Sequence, residues 1–168
     1  MIANNEPSTV LFEEEQTFRQ PWLWAVMGFS ALAGCGAILA AALAAPAQSG
    51  SILPVGGIVI GTLILATALL WLMKLRVRVM AEGLHVRFRP FVDRLIPFSQ
   101  IEQVEVRTYR PIVEYGGWGI RYSLIGRGVA YNVSGNRGVQ LVLADGKRVL
   151  IGSQLPEELA EAIRRGKG

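Results

Sequence analysis

The sequence predicts an α+β membrane protein in which a two-helix transmembrane hairpin is followed by a β-rich domain capped by a C-terminal helix. Three observations predict it. Between Arg19 and Lys74 there is no Asp, Glu, Lys, Arg or His. From Lys74 onward apolar and polar residues alternate, which is the repeat of a strand with one buried face. The segment Pro156–Arg165 opens with proline and acids and ends on arginines, an order that suits a helix and its dipole.

The 168 residues have room for one ordinary domain plus something small. A hydrophobic share of 51% is only slightly above a soluble average, so the distribution decides. Water would reward charges on so long an apolar block, and a bilayer forbids them. Residues 1–20, with Glu6, Glu13, Glu14 and Glu15 against Arg19, read as an acidic cytoplasmic arm. The arm lacks the basic start of a cleaved signal peptide.

Residues 21–73 read as the hairpin, with spans at about 21–45 and 52–73, each near the length that crosses a bilayer as a helix. Pro46, Gln48, Ser49, Gly50, Ser51 and Pro54 are expected to form the turn between them. Trp22, Trp24 and Trp71 would mark one headgroup interface. Lys74, Arg76 and Arg78 follow Trp71, while the connecting loop is uncharged. Positive residues stay inside, which predicts both termini on the cytoplasmic side.

Small residues recur four apart at Ser30 and Gly34, at Ala33, Ala37 and Ala41, at Gly36, Ala40 and Ala44, and at Gly57 and Gly61. Such spacing lets helix backbones approach closely. Two readings are open: Ser30, Gly34, Ala37, Gly57 and Gly61 pack the two helices on each other, or one stripe meets a helix of another protein. Cys35, the single cysteine, is read as a small packing residue, since it has no disulfide or metal partner.

Residues 74–168 read as the cytoplasmic domain. Leu75, Val77 and Val79 alternate with Lys74, Arg76 and Arg78. After the turn Ala81-Glu82-Gly83, Leu84, Val86 and Phe88 return as a hairpin. Further strands are expected around Arg94–Phe98 and Gln103–Tyr109, with Val104 and Val106 inward. Trp118, Ile120 and Tyr122, then Val129, Tyr131 and Val133, continue the pattern. The last strands hold Val139, Leu141 and Leu143, and, beyond Asp145-Gly146, Val149 and Ile151. Leu155, Leu159, Ala162 and Ile163 are the expected buried stripe of the terminal helix. Seven or eight short antiparallel strands with one helix describe a small barrel or paired sheets.

At this point the residues resemble a family. Arg94-Leu95-Ile96-Pro97-Phe98 before an Ile-Glu-x-Val-x-Val strand, Gly117-Trp118-Gly119-Ile120-Arg121, Ala130-Tyr131-Asn132-Val133-Ser134-Gly135, Gly138-Val139-Gln140-Leu141 and Pro156-Glu157-Glu158-Leu159 look like bacterial pleckstrin-homology-like (PH-like) domains. The resemblance covers roughly residues 74–165. It implies a PH-like antiparallel β-barrel, a place in the bacterial cytoplasmic (inner) membrane, and no enzymatic activity or cofactor. One departure matters: the first hairpin loop, Ala81-Glu82-Gly83, lacks the Lys and Arg that clamp phosphoinositides, so inositol-lipid recognition is not carried over.

No catalytic, cofactor-binding or metal residues are expected. His85 is the only histidine and has no triad or zinc partners. Asn132-Val133-Ser134 matches a glycosylation acceptor, but a cytoplasmic strand makes the match chance. Gly116, Gly117, Gly119, Gly126 and Gly128 lack the Lys-Ser/Thr of a phosphate loop and read as turns and a bulge. Trp118 and Tyr122 are expected in the core. Tyr109 and Tyr115 flank an irregular stretch that reads as an exposed contact loop. With Glu13, Glu14 and Glu15, which could dock on a basic surface, they are the candidate partner contacts.

Residues 74–168 carry 16 Lys or Arg against nine acids. The basic residues begin right after a span, so topology explains them and nucleic acid is not an expected partner. Three functional readings follow: an accessory, scaffolding or stabilising subunit that binds other integral membrane proteins within the bilayer; a membrane-surface sensor using Arg76, Arg78 and Arg87 on anionic lipid; and an enzyme, for which no constellation exists.

Overall fold

The computed structural model describes residues 10–44, 49–123 and 126–168. The chain divides into two units, one of helices from Phe18 to Leu72 and one of sheets from Thr17 and before plus Met73 onward.

The helical unit holds α1 (Pro21–Ala44) and α2 (Ser49–Leu72), both long and apolar enough to cross a membrane. No residue of α1 is buried. Ser49, Gly50, Ser51 and Pro54 belong to α2 rather than to a turn; Pro54 removes one backbone donor without ending the helix. Pro46 and Gln48, the rest of that expected turn, lie outside the described residues. Thr62 and Thr67 donate their hydroxyls back to the Ile58 and Leu63 carbonyls, 2.8 and 2.7 Å away, so neither seeks water.

The sheet unit begins with a strand that the sequence reading leaves as an arm. β1 (Phe12–Thr17) pairs antiparallel with β2 (Lys74–Met80), which pairs with β3 (Gly83–Arg89) and then β4 (Val92–Pro97). Residues 1–9 of the expected arm lie outside the described residues. Leu75, Val77, Val79, Leu84, Val86 and Phe88 are fully buried on one face, as alternation predicts.

The second sheet has the order β5-β8-β9-β7-β6: β5 (Ile101–Thr108), β6 (Gly119–Tyr122), β7 (Val129–Asn132), β8 (Arg137–Leu143) and β9 (Arg148–Gly152). The described strands form two sheets that do not close into a barrel, and the β7–β9 pair is parallel. Val149, Leu150 and Ile151 are all buried, because β9 is central and covered on both faces.

The terminal helix α4 (Pro156–Lys167) packs against β5 and β8 of this sheet and against strands of the first sheet. Leu159, Ala162 and Ile163 are buried as predicted, whereas Leu155 precedes the helix and stays exposed. Arg164 and Lys167 donate to the Val104 and Glu102 carbonyls and tie the helix end to β5. The short α3 (Pro111–Tyr115) places Tyr115 against Leu150 of β9. Tyr109 and Tyr115 meet edge to face, ring centroids 6.0 Å apart, over Ala130 and Leu150. The expected contact loop is therefore a small second core, and neither tyrosine is available to a partner.

Candidate functional site

The outer face of the first sheet is a ladder of charge. Antiparallel register sets Glu13 opposite Arg78 and Glu15 opposite Arg76, and same-face cross-strand neighbours interact. Arg78 holds Glu13 at 2.8 Å; Lys74 holds Glu15 at 3.0 Å, with Arg76 on the same carboxylate. On the far side Asp93 of β4 pairs with Arg87 and His85 of β3. Acids thus occupy the flanking strands and cations the two central ones. Lys74, Arg76 and Arg78, expected at the membrane interface, and Arg87 all have carboxylate partners within the sheet. The anionic-lipid reading of Arg76, Arg78 and Arg87 loses its free charges here.

The acid trio splits by strand alternation. Glu13 and Glu15 point outward, while Glu14 is buried and accepts hydrogen bonds from Ser153 Oγ at 2.5 Å and the Gln154 backbone N–H at 2.8 Å. Gln16, on the same inner face, donates to the Gly152 carbonyl at 2.8 Å. These contacts fasten β1 to the segment between β9 and α4. Glu14 therefore serves the fold, and its burial takes it out of the candidate docking trio, while Glu13 and Glu15 stay on the outer face.

A second cluster surrounds Glu114 of α3, whose side chain is 11% exposed. It accepts from Arg107, Arg127 and the Arg110 backbone N–H. Burial alone would raise its pKa, but the Arg110 N–H and the two guanidiniums hold the carboxyl below the ordinary range. The hydrogen bonds from His85 and Arg87 lower Asp93 in the same way, and those from Arg76 and Lys74 lower Glu15. Carboxyls depressed in the folded chain stabilise it fully above their unfolded pKa and lose that contribution as pH falls through the folded value. Thermal melting of the sheet unit is expected to hold level down to about pH 5 and to fall below about pH 4. A melting temperature that rises on acidification would contradict these pairings.

The remaining candidates are structural. Asn132 is buried, accepting from the Gly119 N–H and donating to the Tyr109 hydroxyl, so it is no glycosylation acceptor. Trp118 is half-buried with its indole N–H on the Gly135 carbonyl, and Tyr122 is 73% exposed, which corrects their assignment to the core. Tyr122, Ser123, Gly126, Gly128, Lys147 and Arg148 line an open cleft of about 640 Å³. Lys147 is paired with Asp145 there, and Gly128 (φ +82°) lies so close to Arg148 that a Cβ would meet its carbonyl oxygen at 1.9 Å. Among the described residues no three His, Cys, Asp or Glu are grouped to hold a metal.

In the helical unit, a Cβ on Gly34 would touch Val59 and Leu63 at 3.7 and 3.8 Å, and one on Gly56 would press Ile38 at 3.1 Å. Pairing Ile38 with Gly56 and Gly34 with Val59 and Leu63 makes the helices antiparallel. Ser30 is half-buried, on the same side. Gly57 and Gly61 do not serve this contact: a Cβ on either meets nothing within 4 Å, and Ala37 is exposed. Gly56 is the close-approach residue, missed because the sequence does not show which helical phase faces α1. Gly56→Leu is expected to loosen the hairpin, and Gly57→Leu to leave it unchanged, read by disulfide cross-linking of cysteine pairs placed across α1 and α2. Trp22 is exposed and Trp24 half-buried at the start of α1, with the Trp24 indole N–H on the Phe18 carbonyl at 3.0 Å; Trp71 is exposed near the end of α2.

Compared with protein families, with curated proteins and with solved structures, the chain finds no match in any of the three.

Proposed function

We propose that this chain is a non-catalytic accessory subunit of a larger membrane complex. Its hairpin crosses the bacterial cytoplasmic membrane with both termini inside, and its two-sheeted unit is a PH-like interaction domain that braces a partner's soluble face. The observation that carries the reading is the small-residue surface left after α1 and α2 have packed on each other. Ala33, Ala37 and Ala41, with Gly36 and Ala40, are exposed on α1, and Gly57 and Gly61 on α2. Small residues on an outward face let a partner helix approach closely and gain dispersion contacts that lipid tails do not match. Their apolar neighbours support a lipid setting, since Phe29, Leu32, Leu43 and Ile58 are all more than two-thirds exposed.

The test is native electrophoresis after mild detergent extraction from the source membrane. The natural chain is expected to migrate within a larger complex. Gly57→Leu with Gly61→Leu, or Ala37→Leu, is expected to release it while the melting of the sheet unit stays unchanged. Migration as an isolated small species under all extraction conditions would overturn the proposal.

A further inference from the structure

Both covalent links between the two units leave one end of the first sheet. Thr17 of β1 is in register with Lys74 of β2, and Lys74 with Arg89 of β3. Leu72 ends α2 two residues before Lys74, and Pro21 opens α1 four residues after Thr17. Extended chain covers at most about 3.6 Å per residue, so these tethers reach only about 7 and 14 Å. The β3–β4 turn, Arg89-Pro90-Phe91, stands at that same end, one strand spacing of about 4.8 Å from Lys74. The Phe91 N–H on the Phe88 carbonyl at 2.8 Å closes the turn.

The turn presents an unusual pair to solvent. Phe91 is 60% exposed, the only exposed phenylalanine described in the sheet unit. Arg89 is exposed and, unlike Arg76, Arg78 and Arg87, has no acidic partner among the described residues. An exposed aromatic ring two residues from an exposed guanidinium suits the headgroup zone, where a ring enters the acyl boundary and a cation meets lipid phosphate. From this juxtaposition of Phe91 and Arg89 with the two tethers we infer that the β3–β4 turn is a third contact with an anionic bilayer surface. The inference depends on the hairpin spanning a bilayer. The opposite end of the sheet, at the Ala81-Glu82 turn, has an acidic tip and no tether.

The experiment uses the full chain in a Cys35→Ala background, with Phe91→Cys, Glu82→Cys or Leu65→Cys carrying an environment-sensitive fluorophore. Each is reconstituted in phosphatidylcholine vesicles containing phosphatidylglycerol, with brominated lipid as quencher. Strong quenching at positions 65 and 91, with several-fold weaker quenching at 82, is the expected result. Arg89→Glu should reduce quenching at 91 and leave 65 unchanged; no reduction would overturn the anionic-lipid assignment. Quenching at 65 with position 91 matching 82 overturns the third contact and leaves the spans standing. No quenching at 65 removes the spans, and this inference with them.

Discussion

Glu14→Ala is expected to destabilise the sheet unit by about 2–4 kcal/mol, from two hydrogen bonds to a buried charged group. The substitution leaves the Gln154 N–H without its acceptor and detaches β1 from the chain between β9 and α4. Glu13→Ala and Glu15→Ala remove exposed ion pairs, and each should cost about 1 kcal/mol or less. Urea melts of the three variants in detergent check the contrast. Equal losses across the trio would mean that Glu14 does not fasten the strand. A loss of partner binding from Glu14→Ala without a loss of stability would restore the docking reading that its burial contradicts.

The second large effect belongs to α4. Leu159 is fully buried and lies on the helix that packs on both sheets. Leu159→Ala should cost about 2–5 kcal/mol, through lost transfer energy and the cavity left behind. A domain of this kind is stable by only about 5–15 kcal/mol, so Leu159→Asp, which buries an unpaired charge, should leave no folded sheet unit. Limited proteolysis checks both: the alanine variant is cut faster than the natural chain, and the aspartate variant is cut throughout the sheets. Glu158→Asp, on the exposed side of the helix, should match the natural chain.

How far the sequence was legible follows from where each residue's partners lie. The apolar block and the β2–β3 hairpin declare themselves locally, through absent charge and a period of two. β1 does not, because its inward residues Glu14 and Gln16 are polar and find their partners at Gly152, Ser153 and Gln154, about 140 positions along the chain. A signal did exist: the spacing of Glu13 and Glu15 matches that of Arg76 and Arg78, which is what two antiparallel strands sharing a face require. Asp93, the acid that balances Arg87 and His85, lies six and eight residues beyond them, and the same reasoning would have found it.

Tyr109 and Tyr115 misled for a different reason. Pro111 and the glycines after Tyr115 mark irregular backbone, and irregular backbone usually runs over the surface. Here Pro111 starts a single helical turn, and Gly116 at φ +74° ends it, folding both rings back onto Ala130 and Leu150. Ile112 and Val113 carry the exposure instead. Ser49, Gly50 and Ser51 misled in the opposite direction, since residues that favour turns continue as helix at the start of α2.

The most direct measurement uses the native Cys35. It is exposed on α1 and lines a groove of about 400 Å³ beside Ile60, Leu63 and Trp71, so packing alone would not shield it from a small maleimide. Maleimide reacts with thiols in contact with water, and the hydrocarbon of a bilayer keeps water away from a thiol inside a span. In native membranes Cys35 is predicted to stay unlabelled while Glu82→Cys in the same chain labels readily, and detergent denaturation should release Cys35 to full reaction. Labelling of Cys35 in intact membranes as fast as position 82 would contradict the account, because α1 would then lie in water.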